Sequence, residues 1–273
     1  GGLELTTAGE DLLIKRATDV DLSVDGAGGF ELLAGELLDA SLAERVFRSR
    51  GGIRFQDGRI QAEAMAASAG RDGVLTLSGN ELEPVKLTLT QAGLLAGGEV
   101  LAHRIRVAPG EIAAAGAVRA ELDTGSGTLQ IEAATLDASF IADESGAPLP
   151  GPVLFSLSEV ERCRLVTGEE SVSWSADKTD FSLCAHGLEG DEGGEEPAAG
   201  SGALELCAAV ATGGVLLERQ EAGGLFAASG ERMEFIAGVE ASLEGADGGF
   251  VRLSGVFPGG GRFARVKIGR AHV

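Results

Sequence analysis

Tyrosine is absent from this 273-residue chain, tryptophan occurs once, and proline and cysteine number only 7 and 3. With so few aromatics beyond 11 phenylalanines, the chain is poorly equipped to stack sugar rings. Cys163, Cys184 and Cys207 are an odd count without a Cys-x-x-Cys pair, so neither a zinc site nor a disulfide framework is signalled. Two of them on neighbouring strands would form one disulfide; otherwise all three are small buried hydrophobes. No run of about eighteen apolar residues occurs, so no segment reads as a transmembrane helix.

Catalytic motifs are missing as well. There is no Gly-x-Ser-x-Gly elbow, no His-Glu-x-x-His helix, no phosphate loop and no dinucleotide glycine fingerprint. Cys184 and His186 are two apart on a predicted strand and face the same way; they read as a buried cysteine beside a strand-end histidine, not a nucleophile and base. Carboxylate pairs such as Glu169 with Glu170, or Asp177 with Asp180, lack a readable separation across a sugar site. The expectation is a protein that is not an enzyme and needs no metal or cofactor.

What the chain does have is 44% hydrophobic residues and 43 glycines, enough to bury a core and to punctuate many short strands. The 42 acidic against 22 basic side chains give a formal charge of −20, which repels nucleic acid over most of the surface. A lipid is not excluded, because each buried methylene contributes roughly 0.8 kcal/mol whatever the net charge.

Period-two alternation dominates. Ile53/Phe55, Leu75/Leu77, Leu87/Leu89, Ile105/Val107, Leu129/Ile131, Val153/Phe155/Leu157, Val172/Trp174, Phe181/Leu183, Val215/Leu217, Met233/Phe235 and Val251/Leu253 each place apolar groups on one strand face. One stretch, Leu32 to Val46, reads as a helix instead, with Leu33, Leu37, Leu38 and Leu42 near helical spacing.

A looser repeat appears when a small residue is aligned with a large apolar one three positions later: Ala62 to Met65, Ala102 to Ile105, Ala133 to Leu136 and Gly230 to Met233. They follow Ile60, Val100, Ile131 and Ala228. A second signature ends in glycine, as in Leu75 to Gly79, Ile112 to Gly116 and Val251 to Gly255. Units of this kind cannot bury a one-sided face alone and must stack on their neighbours, giving an elongated all-β array.

Two segments interrupt the pattern. Gly187 to Gly202 is acidic and glycine-rich, a solvated loop without the aspartate spacing of a calcium site, and Asp143 to Pro152 carries three prolines. The expected organisation is a first β region over 1–147 with a truncated N-terminus and a second over 148–267 containing the acidic loop 187–202. Residues 268–273, Ile268 to Val273, read as a translated sequencing adapter, so His272 carries no functional weight.

The segments Gly213 to Gln220, Leu225 to Phe235 and Val251 to Gly255 together resemble the OstA/LptA-like family of lipopolysaccharide-transport proteins, with weaker echoes at Gly58 to Gly79 and Gly98 to Val118. The resemblance implies an open β jelly roll, or β-taco, whose apolar interior cradles acyl chains, in a periplasmic protein of the Gram-negative-type envelope. It implies lipopolysaccharide or a related lipid as ligand, and β-edge stacking with other envelope-transport proteins or with itself. The residues expected to line the trough are Ile60, Met65, Leu75, Leu77, Ile105, Val107, Ile131, Leu136, Val172, Trp174, Val215, Leu217, Met233, Phe235, Val251 and Leu253. A filled, non-catalytic β-helix or solenoid acting as an adhesin-like stalk is the alternative, and a carbohydrate-active β-helix the third reading.

Overall fold

The computed structural model describes residues 3–8, 11–24, 29–41, 44–90, 97–124, 127–143, 149, 151–168, 170–185, 204–221, 224–236, 240–245 and 252–255. The described residues contain no helix. They form β1 (Leu3–Ala8), β2 (Asp11–Val24), β3 (Phe30–Ser41), β4 (Val46–Asp57), β5 (Ile60–Ala69), β6 (Leu75–Ser78), β7 (Val85–Leu89), β8 (Gly97–Ala102) and β9 (Arg104–Ala108). There follow β10 (Glu111–Asp123), β11 (Thr128–Ser139), β12 (Val153–Thr167), β13 (Glu170–Ala185), β14 (Leu204–Glu221), β15 (Gly224–Ile236), β16 (Glu240–Glu244) and β17 (Arg252–Gly255). The expected all-β class is what the chain adopts.

All these strands join one sheet. Pairing is antiparallel and runs between sequence neighbours, as in a meander, with three places where a strand is interrupted. β6 and β7 lie end to end along one edge of β5, on Ala66–Ala69 and Ile60–Glu63. β9 and β8 lie likewise along β10, and β16 and β17 along β15. Because β6 also pairs with β9 and β7 with β8, six strands close a ring in the order β5, β6, β9, β10, β8, β7. β11 and β12 pair along their length on either side of the proline-bearing segment, so the sheet is continuous there.

The uninterrupted strands carry corners. In β4, Arg50 pairs with Ala66 and Ile53 with Ala64, so Gly51 and Gly52 together face the single residue Met65. β10 repeats this with Gly116 and Ala117 against Ala134, and β14 with Gly213 and Gly214 against Glu231. All six bulged residues have positive φ, 83° and 76°, 83° and 49°, 80° and 58°, a conformation that suits glycine. Two residues against one bend the longer strand and sharpen its twist.

The bend is a full fold-back. Residues 47 and 55 of a straight strand would lie about 26 Å apart, yet the Phe47 and Phe55 rings are 6.1 Å apart, with Phe30 5.6 Å from both. Across the sheet in β13, Trp174 and Phe181 meet edge to face at 6.5 Å. The strands therefore double over, and their inward side chains form a single apolar cluster running from Ile14 to Leu243.

The helix expected over Leu32 to Val46 is instead strand β3 as far as Ser41, a turn at Glu44 and Arg45, and the first residue of β4, with Leu42 and Ala43 outside the described residues. Its inward residues are Leu32, Ala34, Leu37 and Ala40; the register shift after Ala34 sets the single Gly35 against Gly51 and Gly52, and the shift after Leu37 adds Leu38 to β3. At these two irregularities the inward residues are three apart, which imitates a helical spacing. Leu33, expected on the apolar helix face, is exposed.

Candidate functional site

The interior between the folded walls is where the trough was expected. Its floor and sides are aliphatic along the middle of the sheet, where small residues such as Ala62, Ala102, Ala114, Ala120 and Ala133 alternate with Leu, Ile and Val. Aromatic residues gather at two places, Phe30, Phe47 and Phe55 on β3 and β4, and Phe155, Trp174 and Phe181 on β12 and β13. Phe155 and Phe181, directly paired across the strands, stack at 4.6 Å.

Of the residues expected to line the trough, Ile60, Leu75, Leu77, Ile105, Ile131, Leu136, Trp174, Val215 and Met233 are buried in this interior. Val107, Val172, Leu217 and Phe235 are partly buried and pack against it. Leu253 lies on β17, and Val251 lies outside the described residues.

Met65 departs from the expectation. It is 38% exposed, and its Sδ accepts a hydrogen bond from Asn80 Nδ2 at 3.0 Å. The reason lies in the corners. Met65 opposes Gly51 and Gly52 as Ala134 opposes Gly116 and Ala117 and Glu231 opposes Gly213 and Gly214. Two residues beyond Ala134 and Glu231 come the inward Leu136 and Met233; two beyond Met65 comes Ala67, which is buried. The repeat in β5 therefore runs from Ala64 to Ala67, and a preceding Ala62 of the same type hid the two-residue slip.

Sequence reasoning also passed over Leu32, Leu37 and Phe47, among the most deeply buried side chains. The false helix concealed the first two. A signal for Phe47 existed, since Phe47, Ser49, Ile53 and Phe55 alternate on either side of Gly51 and Gly52.

The interior has little polar chemistry. Of the buried hydroxyls, Ser41, Ser49, Thr124 and Thr179, two sit near the corners and are bonded, Ser49 donating to the Ala67 carbonyl at 3.3 Å and Thr179 accepting from Trp174 Nε1 at 3.3 Å. Cys163 is buried with its thiol pKa pushed far up by desolvation, so it is a packed, protonated side chain and no nucleophile. Cys184 and Cys207 join β13 to β14 in a disulfide with Cα atoms 5.9 Å apart, which resolves the two readings of the cysteines and removes Cys184 as a free thiol. His186 and the acidic loop 187–202 lie outside the described residues, as does Glu169. Among the described residues no group of three or more His, Cys, Asp or Glu side chains is placed to hold a metal.

Charges lie on the outer face. Arg16 and Arg50 both pair with Glu36 at 2.6 Å, Lys86 with Glu99 at 2.5 Å, and Arg48 with Asp39. The Arg50 hydrogen bond, against a smaller opposing cost of desolvation, holds the Glu36 carboxyl below its ordinary range. Asp177 and Asp180 are exposed on this face; Asp180 accepts from Ser156 at 2.7 Å and pairs with Lys178 at 2.9 Å. Such exposed pairs set strand register more than they stabilise.

A cavity of about 730 Å³ opens on the outer face of β10 to β14, against Glu111, Asp137, Leu154, Asp180 and Val210. The interior itself is closed to solvent: Leu32, Leu37, Leu77, Leu87, Ile105 and Leu183 are each 0% exposed. No helix among the described residues is long and apolar enough to cross a membrane. No family model matches the chain, and no curated protein and no solved structure matches it.

Proposed function

We propose that this chain is a non-catalytic, periplasmic lipid-binding and bridging protein of the lipopolysaccharide-transport type. Its folded sheet is an open jelly roll, and acyl chains are held between the two walls. The observation that supports this reading most is the doubling of strands at β4 and β13, which turns every inward side chain toward one shared apolar interior. Each methylene moved from water into that space contributes roughly 0.8 kcal/mol, and the buried hydroxyls of Ser49 and Thr179 are already hydrogen-bonded within the protein.

Two further features fit. Among the described residues β1 pairs only with β2, and β16 and β17 pair only with β15, so the sheet ends in strand edges that template pairing with a further module. The Cys184–Cys207 disulfide suits an oxidising compartment.

Because the inward leucines are shielded from solvent, loading requires the walls to part. That same closure favours the second reading, a solid structural rod. Phospholipid carrying brominated acyl chains separates them, because bromine quenches a tryptophan only on contact, and Trp174 stands in the interior. Quenching of Trp174 in the folded protein supports the lipid reading; unquenched Trp174 at saturating lipid leaves the rod.

A further inference from the structure

The outer-face cavity has a chemistry of its own, although its lining also takes in Phe155 and Phe181 of the interior cluster. Its lining includes the carboxylates of Glu111, Asp137, Asp143 and Asp180 and no lysine or arginine. Two of the four already carry an ion pair with a cation outside that lining, Glu111 with Arg106 and Asp180 with Lys178, each at 2.9 Å. Between the carboxylates lies apolar surface, chiefly Leu154, which is 51% exposed although it sits on a strand.

One wall of the cavity is built by the connection leaving β11. Phe140 N donates to the Gly110 carbonyl at 2.9 Å, and Leu149 N to the Ile141 carbonyl at 2.8 Å. A methyl on Gly110 would come within 2.8 Å of Phe140 O, so the connection is seated closely on the β9–β10 turn. Ile141 and Leu149, both on this connection, are exposed like Leu154. Of the large exposed hydrophobics, Leu154 is the one that lines this acidic cavity.

The geometry points to a docking groove for a short segment of a partner protein that presents lysine or arginine beside aliphatic side chains. Charge complementarity selects the cationic part, because every ionisable group in the lining is acidic and the whole chain carries −20. Leu154 and Val210 select the aliphatic part. A volume of about 730 Å³ matches a handful of side chains, in the range of ordinary ligand clefts. This groove is independent of lipid in the interior.

The test uses the full chain with its disulfide intact and a fluorescein-labelled peptide of alternating lysine and leucine, followed by anisotropy. Saturable one-to-one binding is expected, weakened at least tenfold by Leu154→Ser, and weakened with a flatter salt dependence by Asp137→Asn with Asp143→Asn. All three positions are exposed, and unchanged circular dichroism and melting confirm that the variants fold. Equal binding by the variants overturns the proposal. So does equal affinity for a peptide with serine in place of leucine, which would mean plain attraction of cations to an acidic chain. Quenching of Trp174 by brominated lipid should be the same in Leu154→Ser, so failure of the groove and failure of the lipid reading are told apart.

Discussion

The Phe47 and Phe55 rings, eight positions apart on one strand, stand 6.1 Å from each other across the interior. Only a strand that reverses at Gly51 and Gly52 brings them together, and both glycines have positive φ. The corner is therefore the element that folds the meander back on itself.

The two sides of that corner respond differently to a methyl group. Added to Gly35, it would overlap the Gly51 carbonyl oxygen, whereas at Gly52 it meets open space. Gly35→Ala should cost about 3 kcal/mol, the upper end for overpacking. Gly52→Ala pays only for left-handed backbone, about 1 kcal/mol. Urea denaturation checks the order, which equal losses would contradict.

Trp174 reports on the second corner. At 3% exposure it should emit at short wavelength, and its indole N–H donates to Thr179 at 3.3 Å. Trp174→Phe leaves the fully buried Thr179 hydroxyl without that donor and should cost about 1–2 kcal/mol. Restoring part of the loss by Thr179→Val in the double variant would show that the hydrogen bond is responsible.

The disulfide closes a span with a sequence separation of 23, for which loop entropy predicts about 3 kcal/mol. Replacing Cys184 and Cys207 together with serine should lower stability by that amount, read from chemical denaturation. Cys163 should resist alkylation in the native protein and react on unfolding. Its thiol pKa is raised in the folded state from an ordinary 9.0. Its contribution is thus fully present below pH 9 and declines above it, as the unfolded thiol ionises first.

At the acid end the sign reverses. Glu36 has its pKa lowered by Arg50 and Arg16 from an ordinary 4.5, so the stability it contributes is present above pH 4.5 and lost as pH falls below. Glu36→Gln should flatten the acid limb of the stability profile while leaving the alkaline limb alone. An unchanged acid limb would mean the pair adds nothing beyond register.

Strand content was readable because inward and outward residues alternate over most strands, as in Val153, Phe155 and Leu157. What escaped was phase. A strand with two residues at a corner keeps its inward parity, as Phe47, Ser49, Ile53 and Phe55 do. The strand facing it turns on one residue and switches parity, as between Ala62 and Ala67 or Ala133 and Leu136. A reading that carries a fixed period across Gly35 or Met65 therefore lands on the wrong side. The small-then-large repeat was in fact the trace of those corners: Ala102 and Ile105 flank His103, where β8 gives way to β9, and both are 0% exposed. The fold-back was not legible, since it is a property of φ at paired positions such as Gly213 and Gly214 and of rings that meet only after folding. The outer cavity was equally hidden, because Leu154 and Asp137 come together only when β11, β12 and their connection are assembled.

Site-specific photo-crosslinking tests the interior most directly. A benzophenone side chain is placed at Ile105 or Met233, both inward, and at the outward Arg119 for comparison, and the protein is exposed to lipopolysaccharide and irradiated. Adducts at Ile105 and Met233 but not at Arg119 are the predicted result. Folded protein that yields none at either inward position, or yields them equally at Arg119, would contradict a lipid-holding interior.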